Sequence, residues 1–511
     1  MGHRWRRRLG PALVRIILLG TLVFLGAEAG ARPNLVLIVL DDLGVDRVAA
    51  YRPETAGPTP QLDALAAEGV RFTRFWGMPN CSPFRASALT GLPVRGHQVG
   101  GPIELSNPRR SRGLDPTLET LPRRLHPLGY RSEAIGKWHL AGQPGYTPKH
   151  PLLAGFDHHR GTMGNPGSYS RYEKCIDGVC EPVDDRYLTS DTTDDAIAAL
   201  GGSEPFFLWV AYNAAHKPLH PVPTSLHSYG ELPCPDWDHA VCHKALVESL
   251  DTEVGRLAAA VDWSDTTVIV VADNGTPNTS QDSDSATAGK GTVYDAGLLV
   301  PLIVRGSAVA PAARGESTPA MGQTTDLFAT LLELAGEPSE TAETDFSRSL
   351  ATQLLDPTAP PRRPWQYVER YAPNGPKPDP ALRHHEVAAN ERYKLVIRRP
   401  RPTGEFELYD RFEHRDRVDL YPPGDDAERR AAFAELRMVL ERHGSIPRDW
   451  QAPRVQTSGS SQTQQTRETG ETESSGGNYR WLLVAVPLGA ILGWIAGRAV
   501  RARGLWPRPR R

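Results

Sequence analysis

Three short apolar runs, each ending abruptly in polar residues, limit what this chain can fold into. Leu35 to Leu40 runs into Asp41-Asp42. Phe206 to Tyr212 leads to Asn213 and then His216-Lys217, and Thr266 to Ala272 runs into Asp273-Asn274-Gly275. Each run is dense in Val, Ile, Leu or aromatic residues and does not alternate, as in strands covered on both faces of a parallel sheet. Helical patterns lie between them. One opens at Thr59-Pro60, with Thr as N-cap and Pro at the first helical position; it puts Leu62, Leu65 and Ala66 on one face and stops at Gly69. The reading is an α/β domain over 32–355: a large, mainly parallel sheet flanked by helices.

A Pro-rich stretch at 357–364 marks the next boundary. Beyond it, Tyr393 to Arg398 and Glu405 to Tyr409 read as a hairpin, and Phe433, Leu436 and Leu440 space an amphipathic helix ending near Gly444. Residues 356–450 are therefore expected to form a smaller C-terminal α+β subdomain, an antiparallel sheet plus helix. Residues 453–479, rich in Ser, Gln, Thr, Glu and Gly, cannot fill a core and read as a flexible polar stalk.

The ends predict export. Arg4, Arg6, Arg7 and Arg8 precede an apolar run of eleven residues, Ile16 to Gly26, and Ala27-Glu28-Ala29 offers small residues for cleavage. At about 1.5 Å per residue that run falls short of a hydrocarbon core of about 30 Å, so 1–29 is expected to be a signal peptide. Residues 481–497 carry no charge and are followed by an Arg-rich tail, 498–511. The positive-inside rule makes these a transmembrane helix and a basic cytoplasmic tail. A sorting tail removed after export fits the same residues. Either way the catalytic domain is expected to be periplasmic or extracellular. The net charge of −2 gives no reason to expect nucleic acid.

Five cysteines are an odd number. Cys175 and Cys180, and Cys234 and Cys242, are close enough in sequence for two local disulfides in an oxidising compartment, which leaves Cys81 over. In open α/β sheets ligands sit outside the carboxyl ends of the strands, so the three polar clusters should converge. Asp41, Asp42, Asp273 and Asn274 offer only oxygen ligands, three of them anionic, a set that suits Ca2+, with Mg2+ as the alternative, rather than zinc.

The segment Cys81-Ser82-Pro83-Phe84-Arg85 followed by Leu89-Thr90-Gly91 closely resembles the signature of the sulfatase family, in which the cysteine becomes formylglycine. Further motifs follow in family order: Gly136-Lys137-Trp138-His139, Ala215-His216-Lys217-Pro218, Asp273-Asn274-Gly275, Gly289-Lys290 with Tyr294-Asp295-Ala296-Gly297, and Glu407-Leu408-Tyr409-Asp410. Phe84, Asp295, Ala296 and Leu299 depart from the commoner family residues. The resemblance implies a sulfuric ester hydrolase of arylsulfatase type, acting on a sulfated small molecule or carbohydrate after maturation by a formylglycine-generating enzyme.

It also implies roles. The modified Cys81 joins Asp41, Asp42, Asp273 and Asn274 around the cation, and one hydroxyl of the hydrated aldehyde attacks sulfur. Arg85 and Lys137 orient that hydrate, and His139 is the base. His216 and Lys290 bind sulfate oxygens and help protonate the leaving alcohol. Two other readings share these residues: a phosphonate or phosphate monoester hydrolase using the same site, and a sulfated-glycan binder that does not cleave. Loops at 96–112, 161–185 and 219–242 are the expected specificity elements.

Overall fold

The structure, a computed structural model, describes residues 32–443 except 203–204, 237, 282–288, 376–383, 400–404, 413–415 and 417. The expected signal peptide, stalk, spanning helix and tail lie outside the described residues. Among the described residues no helix is long and apolar enough to cross a membrane.

The strands are β1 (Asn34–Leu40), β2 (Val70–Trp76), β3 (Arg131–Gly136), β4 (His158–Gly161), β5 (Tyr172–Ile176), β6 (Val179–Val183), β7 (Phe206–Ala211), β8 (Thr266–Ala272), β9 (Leu302–Gly306) and β10 (Ser317–Gln323). They form one ten-stranded sheet in the order β10-β2-β9-β8-β1-β7-β3-β4-β5-β6. Its centre, β8-β1-β7-β3, is parallel throughout. Every residue of β7 and β8 is buried, as is β1 from Leu35 onward. That burial on both faces is why these strands read as unbroken apolar runs.

Four further strands, β11 (Gln366–Arg370), β12 (His384–Ala389), β13 (Tyr393–Arg399) and β14 (Glu405–Asp410), make an antiparallel sheet in chain order. The expected hairpin is the β13–β14 pair. Phe433, Leu436 and Leu440 of the Ala427–Arg442 helix are buried against this sheet together with Leu395, Ile397, Phe406 and Leu408. Polar side chains join the two sheets. Gln366 Nε2 donates to Arg74 O at 2.8 Å and to Gly322 O at 2.6 Å, and the buried Lys394 Nζ sits 2.9 Å from Asp295 Oδ1.

Two local expectations change. The helix at Thr59-Pro60 forms over Pro60–Ala67, but the Thr59 side chain does not cap it. Its hydroxyl accepts from Ala49 N at 2.9 Å instead, and the Gln61 and Leu62 amides donate to the Asp251 carboxylate at 3.0 and 2.8 Å. A carboxylate brought from another helix satisfies the orphan amides better than the neighbouring hydroxyl. In addition, segment 161–185, read as loop, contains the β5–β6 hairpin. Asp177-Gly178 turn it with φ of 49° and 90°, a turn pair that matches the twist of a hairpin. Cys175 and Cys180 face each other across it and are disulfide-bonded, as are Cys234 and Cys242; Cys81 is free and buried.

Candidate active site

The polar clusters meet at the carboxyl ends of four neighbouring strands. Asp41-Asp42 leave β1, Lys137 and His139 leave β3, Asn213 to His216 leave β7, and Asp273-Asn274 leave β8. Backbone hydrogen bonds fix these ends to one another. Asp41 N donates to Ala214 O at 3.1 Å, Ala215 N to Asp41 O at 2.7 Å, Asp273 N to Leu40 O at 3.0 Å and Lys137 N to Ala211 O at 2.7 Å. Asp42 and His139 adopt left-handed backbone, φ 62° and 55°, a conformation that costs a non-glycine residue about 1 kcal/mol or more and clusters at functional sites. Gly275 is obligatory, because a Cβ there would meet Ala296 O at 1.9 Å.

Cys81 arrives by a different route. After β2, Met78 N donates to Asp273 O at 2.9 Å, and a helix over Cys81–Thr90 starts at the cysteine. All ten residues of this helix are buried, so no amphipathic pattern marked it in the sequence. Gly91, at φ 65°, closes it in the left-handed conformation.

Asp41 lies at the centre. Its Oδ1 is 3.4 Å from Cys81 Sγ, and its Oδ2 accepts from Arg85 Nη2 at 3.1 Å and from Lys137 Nζ. Arg85 Nη2 is also 3.8 Å from Asp273 Oδ2. Asp42 Oδ1 accepts from Asn274 Nδ2 at 2.8 Å and pairs with Lys290, while its Oδ2 lies 3.9 Å from His216 Nε2. Lys290 Nζ is 3.5 Å from Cys81 Sγ. His139 stands one step back, its Nε2 3.0 Å from Ile103 O and its Nδ1 buried without a hydrogen-bond partner among the described residues.

Charge crowding sets the protonation states. Burial pushes the Asp41 carboxyl up, but Lys137, His216, Arg85 and Lys290 outweigh it and hold it well below the usual range. Asp273 is raised to about 7 by burial and by the Asp41 charge. Burial, with Asp41, pushes the Cys81 thiol up, so the unmodified side chain is a poor thiolate. Burial and the charges of Lys137 and Arg85 keep His139 well below the ordinary histidine value. Burial, with Lys137, lowers His216 to about 4.

The donor set fits a hard divalent cation. Asp273 Oδ2 and Asn274 Oδ1 are buried oxygens with no hydrogen-bond partner among the described residues. Such atoms are costly unless something positive takes them. One ligand atom each from Asp41, Asp42, Cys81 and His216 lie within 4.8 Å of one another. His216 was not expected among the cation's neighbours. Sequence reasoning also missed His243, whose Nε2 is 3.2 Å from Asp42 O, and Tyr169, whose hydroxyl is 2.7 Å from both Asn213 O and His216 O. Neither sits in a motif; only the fold brings them here.

Known proteins resemble this chain in sequence and in fold. The family description "Sulfatase" matches residues 33–337. The chain is 30% identical over 362 residues to the N-acetylgalactosamine-6-sulfatase of Mus musculus, an alignment covering 63% of this chain and 66% of that protein. It is 31% identical over 389 residues to human arylsulfatase A, covering 68% of this chain and 72% of that protein. The chain thus spans just under two thirds of the length of the mouse relative. Among solved structures, one bound to its substrate D-glucosamine-2-N,6-O-disulfate superposes with a TM-score of 0.64 at 20% identity, covering 81% of this chain and 97% of that one. The PsFucS1 sulfatase from Pseudoalteromonas sp. superposes at 0.61 and 18% identity, covering 86% of this chain and 96% of that one. With the family description covering more than half of its length, this chain belongs to the sulfatase family.

Proposed function

We propose that this chain hydrolyses a sulfate ester of a carbohydrate, using Cys81 as formylglycine and a calcium ion held by Asp41, Asp42, Asp273 and Asn274. The observation that carries the reading is Cys81 at the head of a buried helix, between Asp41 and Lys290, where the strand ends converge. The cation would supply Lewis-acid stabilisation of charge developing on sulfate oxygens. The aldehyde hydrate would supply a nucleophile that renews itself, which a buried thiol of raised pKa cannot.

The chain's own residues do the rest. Lys137 and Arg85, both fully buried, hold Asp41 ionised and orient the group at position 81. His139 bonds Ile103 O through Nε2, which leaves Nδ1 as the open acceptor, and its depressed pKa keeps that nitrogen free to take a proton. His216 points Nδ1 at Lys217 O, 2.7 Å away, and Nε2 toward Asp42. Against burial, the Asp42 and Asp41 charges hold Lys290 protonated, so it donates hydrogen bonds to sulfate oxygens and steadies the charge on the leaving alcohol's oxygen. The acid limb of the rate profile should lie below the ordinary histidine range. Export and membrane tethering are part of the same proposal, supported by the two disulfides and by the Arg-rich sequence after 481–497.

The test is the mass of the tryptic peptide Phe75 to Arg85 from protein made in its own host, with turnover of an aryl sulfate measured beside that of a phosphonate monoester. A hydrazide-reactive aldehyde at residue 81 with preferential sulfate turnover supports the proposal. An ordinary thiol there, or faster phosphonate turnover, rejects it.

A further inference from the structure

Glu369 and Glu386 stand directly opposite each other on β11 and β12, and each is 1% exposed. Like charges in that register repel, and burial raises the cost. Arg95 answers one of them: its Nε and Nη2 donate to Glu369 Oε2 at 3.2 and 2.8 Å, and the Tyr367 hydroxyl donates to the same oxygen at 2.9 Å. Glu386 receives much less. Arg95 Nη2 is 3.9 Å from its Oε1, and neither of its oxygens has a hydrogen-bond partner among the described residues. His384 Nε2 comes within 2.8 Å of Glu386 Oε1, yet the direction is wrong for a hydrogen bond, and that nitrogen too is buried and unpartnered.

One ligand atom each from Glu369, His384 and Glu386 lie within 4.8 Å of one another. His384 Nε2 and Glu386 Oε1, 2.8 Å apart, are closer than the roughly 3.3 Å between tetrahedral ligands on a cation with bonds of about 2.0–2.1 Å, a gap that a small side-chain rotation opens. We propose that Glu369, His384 and Glu386 form a second divalent-cation site, separate from the strand-end site. One imidazole with two carboxylates suits a borderline ion such as Zn2+ better than Ca2+. The ion would neutralise Glu386 and pin β12 to β11, with Tyr371 packed edge-on against His384 at 5.8 Å.

The full chain, stripped with a chelator and refilled with excess Ca2+ to hold the strand-end site, should take up one equivalent of Zn2+ by calorimetry. Glu386→Gln and His384→Gln should each weaken that uptake by about 10-fold to 100-fold. In the wild-type chain, Zn2+ should slow amide exchange in Gln366–Arg370 and His384–Ala389, a reading that needs no variant to fold. No Zn2+ uptake, uptake by both variants equal to that of the wild-type chain, or unchanged exchange in these strands overturns the proposal.

Discussion

The strand-end site and the Glu369–Glu386 notch both bury acidic groups, and they compensate them differently. At the strand ends Asp41, Asp42 and Asp273 face Arg85, Lys137 and Lys290, and the groups come from loops and a helix start that follow strands. In the notch the two carboxylates come from inside paired strands, where register alone sets them face to face. Loops beyond strand ends can aim side chains at a ligand, whereas a strand offers only its alternating face. Charge at the strand ends is therefore placed where a ligand can meet it. Charge in the small sheet and at its seam with the large one serves cohesion.

The largest expected effect separates chemistry from fold. Cys81→Ala should lower turnover by about 10³-fold or more, because it removes the proposed nucleophile, while the melting temperature moves by only a few degrees. A variant that loses stability in proportion to activity would break the distinction. Asp41→Asn should lower turnover by about 10²-fold to 10³-fold and also destabilise by about 3–5 kcal/mol, since buried Arg85 and Lys137 lose their counter-charge. Paired kinetics and denaturant unfolding would measure both.

At the seam, Lys394 is fully buried and answers Asp295 and Asp416. Lys394→Met should cost a comparable 3–5 kcal/mol, on the order expected for a broken buried pair, with turnover per folded molecule little changed. A loss of turnover equal to that of Asp41→Asn would mean that the seam is catalytic after all.

The smallest effect concerns Asp251. Burial, reinforced by Asp63 and Glu248 against the bonds from Gln61 and Leu62, lifts its carboxyl to about 7 from an ordinary 3.8. The folded state then binds this proton more tightly than the unfolded state. The associated stability is full below pH about 4 and is lost as pH rises through about 7. Asp251→Asn should flatten the fall of melting temperature across that window, read by calorimetry at several pH values. An unchanged slope would locate the pH dependence elsewhere.

Where both faces of a strand are buried, the sequence could be read directly. The runs 35–40, 206–212 and 266–272 are apolar without alternation, and they became β1, β7 and β8 within a residue of their expected ends. β3 was not legible in this way, since Arg131, Ser132 and Glu133 interrupt it, although Lys137 and His139 beyond it were found by motif. The β5–β6 hairpin was missed despite its Asp-Gly turn, because its strands are short, mix Glu173, Lys174 and Glu181 with apolar residues, and β6 contains Pro182.

The sequence by itself determined which residue types could meet: carboxylates after strands, a cysteine in a characteristic setting, and lysines and histidines in family order. Those facts are local, fixed by chain neighbours and spacing. Only the tertiary structure decided that Asp251 caps a distant helix, that His243 and Tyr169 brace the site through backbone carbonyls, and that Glu369 faces Glu386. Such contacts join residues far apart in the chain, and no spacing encodes them. They follow from strand order and register, which are set by the packing of the whole core.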